Sequence, residues 1–125
     1  MRKFLILLFL IFIPDYGFSK TIHRERLYQE SWCDRAGGLT EVTLSDFSRV
    51  DCLTDEYAVE MDFARKWAEA VGQALFYGSM TGRRPAIVLI LENDGDRRYL
   101  KRLYLTIEKW GLPVRVWTTG PGDLK

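Results

Sequence analysis

Apolar and polar positions along this chain change period several times, and the changes mark out its elements. Over residues 39–44 (LTEVTL) they alternate, as a half-buried strand requires. Ser45-Asp46-Phe47-Ser48 is a mostly polar turn, and residues 49–54 read as a second strand paired to the first as a hairpin. Asp55-Glu56 turns the chain again, into a third strand over 57–63. The period then becomes helical. Trp67, Ala70, Val71, Ala74, Leu75 and Gly78 recur along a helix expected over 64–80. The run PAIVLIL at 85–91 is continuously apolar, as expected of a strand covered on both faces. A second long helix over 96–110 carries Leu100, Leu103, Tyr104 and Ile107 and is capped by Gly111. Residues 112–118 read as a last strand, and GPGDLK as a frayed tail. Upstream, residues 21–34 read as a helix through Leu27, Tyr28 and Trp32, ended by Ala36-Gly37-Gly38.

The order is α-β-β-β-α-β-α-β. Three strands in hairpin succession, followed by a right-handed β-α-β crossover, predict an α/β fold: a mixed sheet with helices on both faces. There is no internal repeat, low-complexity tract or linker, so residues 20–125 are expected to form a single domain.

The first residues stand apart from that pattern. Met1-Arg2-Lys3 is a short basic start, and residues 4–13 are an unbroken apolar run of ten. Pro14 and Gly17 break it, and Gly17-Phe18-Ser19 offers small residues to a signal peptidase. Residues 1–19 therefore read as a secretory signal peptide, cleaved near Ser19 or Lys20. The run is short of the roughly 20 residues a membrane span needs. An uncleaved N-terminal anchor is the rival reading, and Pro14-Asp15 counts against it. The expected location is the periplasm or the medium. Export favours a disulfide between the two cysteines, Cys33 and Cys52, and two buried thiols are the alternative.

Charge narrows the function classes. Removing Arg2, Lys3 and Asp15 from 18 basic and 17 acidic residues leaves 16 of each. A neutral chain has no general pull toward nucleic acid, so such binding needs a local patch. The basic clusters are Arg83-Arg84, and Arg97-Arg98 with Lys101-Arg102; each alone reads as a solvated surface. No glycine-rich phosphate loop occurs, so no nucleotide cofactor is expected. A single histidine, His23, and the lack of a C-x-x-C pair leave zinc chemistry without support.

The candidate chemistry lies in RVDCLTDEYAVEMDFARKWAEAVGQ, residues 49–73. Side chains alternate along a strand. Asp51 and Leu53 then share one face of the second strand, with Val50 and Cys52 on the other. Ala58, Glu60 and Asp62 share one face of the third, with Val59, Met61 and Phe63 toward a core. Carboxylates on adjacent strands suit a hard divalent cation, magnesium or manganese. The alternative is that these acids face solvent. On the next helix Lys66, Glu69 and Gln73 align at i, i+3 and i+7. Lys66 there is placed to orient an attacking water or stabilise charge at phosphorus, and Gln73 to hold the water or a phosphate oxygen. A Lys66–Glu69 surface pair and an exposed Gln73 are the plainer account.

These residues resemble the PD-(D/E)xK nuclease superfamily, the restriction-endonuclease-like fold, across nearly all of the domain through its α-β-β-β-α-β core. The resemblance implies that Asp51 is the motif aspartate and Glu60 the acid of the E-x-K element. It implies that Gln73 is the glutamine several branches carry on the following helix, and that a first-helix glutamate, Glu30 here, joins the site. Where the family's lysine stands this chain has Asp62, and Lys66 takes the place of a lysine migrated to the next helix. The implied function is an exported, metal-dependent nuclease acting on DNA or RNA. Asp51 and Glu60 would bind magnesium or manganese, and Asp62, Lys66 and Gln73 would complete the catalytic set. The alternative is a catalytically inactive module that keeps the fold for binding or for an envelope interaction. A homodimer is open to either.

Overall fold

The computed structural model describes residues 22–124. The expected export signal, its cleavage point and the expected helix start at residue 21 lie outside the described residues. The elements follow in the expected order: α1 (Glu25–Arg35), β1 (Leu39–Thr43), β2 (Arg49–Leu53), β3 (Tyr57–Phe63), α2 (Trp67–Thr81), β4 (Arg84–Ile90), α3 (Arg97–Trp110) and β5 (Arg115–Thr119). They form one mixed five-stranded sheet in the order β1-β2-β3-β4-β5. β1, β2 and β3 are successively antiparallel, and β3, β4 and β5 run parallel. The fold is therefore α/β with a mixed sheet. No helix among the described residues is long and apolar enough to cross a membrane.

Alternation along β3 and β4 divides the interior in two. Val59, Met61 and Phe63 lie beside Ala86, Val88 and Ile90, and pack with Tyr28 and Cys33 of α1. On the other face Ile87 and Leu89 pack with Ala70 and Ala74 of α2 and Leu103 of α3. β4 is buried on both sides from Ala86 to Ile90, which is why its sequence reads as one apolar run.

Several boundaries differ from the sequence reading, each for a local reason. α1 begins at Glu25, because the backbone amides of Ile22 and His23 donate to the Glu92 carboxylate, at 3.0 and 2.9 Å. Its buried face is Tyr28, Gln29 and Cys33, while Leu27 is exposed; a polar residue sits where the sequence predicts an apolar stripe. The second helix opens with a 3-10 turn over Ala64–Lys66 before α2. β5 starts at Arg115, not 112: Pro113 has no N–H for a ladder, and Leu112 and Val114 fill the space under α2 and α3. The tail is not frayed. Pro121–Asp123 forms a turn, the Asp123 carbonyl accepts from Arg35 Nη1 at 3.1 Å, and Leu124 packs under α1.

Candidate functional site

The acids converge because β2 and β3 part. Their ladder holds only Cys52 opposite Val59 and Leu53 opposite Ala58. Toward the start of β2 the strands separate, and a side chain takes over the backbone's role: Asp51 Oδ2 accepts the Met61 amide at 2.8 Å. The Asp51 carbonyl, freed from the ladder, accepts from Gln29 Nε2 at 2.7 Å. The bend also moves Val50. Simple alternation puts it on the Cys52 side, yet it packs with Ala58 and Tyr77, on the α2 side. Glu60 and Asp62 keep the expected face of β3, level with Ile87 and Leu89. α2 covers that face, so Glu60 and Asp62 are only 4 % and 5 % exposed. Asp62 Oδ1 accepts its neighbour's amide, Phe63 N, at 3.0 Å.

Burial and mutual repulsion set the protonation of this cleft. Glu60 is pushed far above the carboxylate range, first by burial and then by the Asp51 charge beside it. Asp51 is also raised by burial, against the pull of the Met61 amide and of a hydrogen bond to Glu60. The two carboxyls are thus near enough to share a proton, and the pair holds it well above the usual carboxylate range. Asp62 is raised to about 6 by burial, and the nearby Lys66 ammonium limits the rise. On α2, burial and then the Glu60 and Asp51 charges lift the Tyr77 phenol to about 12.

Asp51, Glu60 and Asp62 are therefore brought together, with Lys66, at the entrance of α2, close enough to act on Asp62. Glu30 is not among them. It points to solvent and pairs with Arg26 at 2.8 Å one turn along α1. The first-helix acid in the cleft is Glu25: burial, then Asp62 and Asp51, raise it to about 7. Gln73 is half-buried, one turn before Tyr77, and its side chain makes no hydrogen bond among the described residues.

Two contributors escape the sequence reading, Glu25 and Glu41, whereas Tyr77 falls one turn beyond Gln73 on the polar line that starts at Lys66. Glu25 is legible in principle, since it stands three and four residues before the buried Tyr28 and Gln29. Glu41 is not. It sits in mid-β1 with φ +55°, a left-handed conformation uncommon for glutamate that breaks the strand's alternation. Its carboxylate accepts from Gln29 Nε2 at 3.2 Å and lies 3.7 Å from Arg49 Nε.

Cys33 and Cys52 form a disulfide that ties α1 to the residue beside Asp51. Gly38 packs directly on it: a Cβ there would lie 2.7 and 2.9 Å from the two sulfurs. Among the described residues no three His, Cys, Asp or Glu side chains are grouped so as to hold a metal ion by themselves. The donor set that fits one is the Asp51–Glu60 pair. It is all oxygen, and it retains a proton whose place a cation can take. Comparison with family models, with curated proteins and with solved structures finds no match to this chain.

Proposed function

We propose that the chain is an exported, divalent-metal-dependent nuclease-like protein that hydrolyses phosphodiester bonds of nucleic acid. One observation carries this reading: Asp51, Glu60, Asp62 and Glu25 form a partly buried cluster of carboxyls beside the point where the β2–β3 ladder ends, close enough to act on one another, with Lys66 close enough to act on Asp62. The α-β-β-β-α-β order and the mixed sheet support the restriction-endonuclease-like topology. The disulfide supports export to an oxidising compartment.

Asp51 and Glu60 would hold one magnesium or manganese ion, which water and substrate oxygens complete. Magnesium commonly takes only one or two carboxylates and leaves its other positions to water and phosphate. When bound, such an ion neutralises charge that develops on the phosphoryl oxygens. The chain's own residues do the rest. The Met61 amide fixes the Asp51 carboxylate by a 2.8 Å hydrogen bond, so the first ligand is pre-oriented. Lys66 orients the attacking water or stabilises the departing charge at phosphorus. Gln73, with no partner of its own among the described residues, positions that water or a phosphate oxygen. Near neutrality Asp62, raised to about 6, is largely ionised and Glu25, raised to about 7, is partly so, and in that form either can take a proton from the water.

A second reading keeps the fold without catalysis. It is favoured by Asp62, which stands where the nuclease family has its lysine. Metal-dependent digestion of single- and double-stranded DNA and RNA separates the two. The first reading expects cleavage with magnesium or manganese, none with EDTA, and loss of cleavage in Asp51→Asn, Glu60→Gln and Lys66→Ala. Manganese-induced thermal stabilisation without cleavage of any substrate selects the second. No manganese effect, and no change in it on replacing Asp51 or Glu60, rejects the metal centre in both.

A further inference from the structure

The basic residues of the chain are not spread evenly around the cleft. The 3-10 turn at Ala64–Lys66 carries Arg65 and Lys66, and the first two turns of α3 carry Arg97, Arg98, Lys101 and Arg102. α3 packs against that turn, which brings Arg65 and Arg98 to one pocket. None of these six cations forms an ion pair among the described residues; the pairs present are Arg26–Glu30, Arg49–Glu41 and Arg84–Glu56. The pocket, of about 190 Å³, is lined by Phe63, Arg65, Glu92, Asp96, Arg98 and Tyr99 among others.

The pocket's guanidiniums are held in place. Arg98 lies over the Tyr99 ring at 4.7 Å and donates to its hydroxyl at 2.8 Å. Arg102 approaches the same ring at 5.5 Å, and Arg65 lies 5.0 Å from the Phe63 ring. The acids at the pocket are already engaged. Glu92 accepts from Ile22 N, His23 N and Tyr28 Oη, and Asp96 accepts from Glu92 N and Asn93 N. The two acids keep their charge, but their bonds hold them to the backbone and to Tyr28, while the guanidiniums of Arg65 and Arg98 offer planar, preordered donors that suit phosphate oxygens.

The pocket and the carboxylate cleft share a wall, residues 62–66. Asp62 turns to the cleft, and Phe63 and Arg65 turn to the pocket. Three peptide units separate Asp62 from Arg65, a reach of at most about 11 Å. Three base-pair rises of roughly 3.4 Å along a duplex axis cover about that distance.

We propose that this pocket is a backbone-binding site for nucleic acid. Arg65 and Arg98, backed by Lys101 and Arg102, grip a phosphodiester two or three nucleotides from the one presented to the carboxylates. The proposal rests on the nuclease-like reading of the cleft and gives it a docking surface. It also accounts for a neutral chain acting on a polyanion: the cations gather on the approach to the cleft, and the acids gather inside it.

The test is fluorescence anisotropy with labelled 20-nucleotide single-stranded DNA, the same sequence as duplex, and the same sequence as RNA. It is run in EDTA, where no strand is cut, between about 50 and 200 mM salt. Each lost phosphate contact lowers the slope of log affinity against log salt by about 0.7–0.9. Arg65→Ala/Arg98→Ala should therefore lose roughly tenfold in affinity at the low-salt end, with a shallower slope. Arg65→Lys/Arg98→Lys should keep most of that slope, and Arg115→Ala, a cation on β5, should alter nothing. The order of affinity among the three probes names the natural strand. Manganese-induced thermal stabilisation, measured without nucleic acid, should be the same in the parent and the double alanine variant. If the double variant binds as tightly and with the same slope, or if no probe binds the parent, the pocket proposal falls even where manganese still stabilises. Binding that depends on Arg65 and Arg98 in a protein that manganese does not stabilise upholds the pocket and removes the metal reading.

Discussion

The carboxylate cleft predicts an unusual dependence of stability on pH. Asp62 is raised from 3.8 to about 6 and Glu25 from 4.5 to about 7, and Glu60 is raised further still. A carboxyl whose folded pKa lies above its unfolded value binds its proton more tightly when folded. Its contribution is complete below the unfolded value and is lost as pH rises through the folded one. Without metal, the protein should therefore lose stability as pH rises above about 4.5, through the Asp62 and Glu25 values by about pH 8 and on through the higher Glu60 value beyond it. The common expectation is the reverse, because most paired carboxylates have lowered values. Asp46 is such a group here, held down by Ser48, but its effect is complete by about pH 4 and leaves the window clear.

The size follows from proton affinity, each tenfold difference between the folded and unfolded chain being about 1.36 kcal/mol. Asp62 and Glu25 each hold a proton roughly a hundredfold more tightly in the folded protein, which is about 3 kcal/mol apiece if they acted alone. Glu25 is only partly buried, so solvent screening reduces its share to about half that. Asp62 is one cause of the rise in Glu25, so their effects do not simply add; a net loss on the order of 3 kcal/mol from these two is the least to expect between pH 5 and pH 8, and Glu60 adds to it. In a domain of this size that lowers the melting temperature by roughly 10–20 °C. Thermal melts in EDTA at pH 5, 6.5 and 8 would show it. Manganese at about a hundred times its dissociation constant should return about 2.7 kcal/mol at pH 8 and much less at pH 5, where protons compete for the same oxygens. Glu60→Gln removes the most strained ionisation and keeps the shape. It should raise the melting temperature at pH 8 in EDTA and abolish the response to manganese. A melting temperature that stays level or climbs from pH 5 to pH 8 without metal would refute the account of the cleft.

Three further outcomes test individual parts of the fold. Glu25→Gln should flatten the same pH profile and gain about 1–2 kcal/mol at pH 8 in EDTA. Glu30→Gln should change stability by less than about 0.5 kcal/mol, because it loses only an exposed pair with Arg26. Replacing both Cys33 and Cys52 with alanine opens a loop with a sequence separation of 19 and should cost about 3 kcal/mol in chemical denaturation; a loss under about 1 kcal/mol would contradict it.

The fold is legible in the sequence because its strongest signals are local. Alternation marks β3 to the residue, and the continuous run at β4 announces a strand buried on both faces. Departures fall where a tertiary contact overrides a local pattern. The apolar pattern of the first helix points to Leu27, which is exposed, because Gln29 is a poor witness to burial. Its amide faces inward only to serve the Asp51 carbonyl and the Glu41 carboxylate. A helix turned to bury Leu27 selects Glu30; the helix turned to bury Gln29 brings in Glu25.

The same contacts explain why the cleft is half visible. Asp51, Glu60 and Asp62 share a motif on consecutive strands, so period and spacing reveal them. Glu25 and Glu41 arrive from other elements, one through a helix rotated by a buried amide and one through a residue at φ +55°. The opening between β2 and β3 joins the two sets, and it depends on an exchange of hydrogen bonds. The Met61 amide goes to a side chain and the Asp51 carbonyl to Gln29, so the sheet can open without leaving either group unpaired. The disulfide at Cys52, one residue from Asp51, anchors the strand at the point where it turns away. Its contribution, about 3 kcal/mol in the chain-entropy model, is of the same order as the stability that the crowded carboxylates remove near neutral pH. The covalent link and the acid cluster are therefore best understood together: the strand that bears Asp51 is fixed to α1 one residue away from the crowded carboxylates.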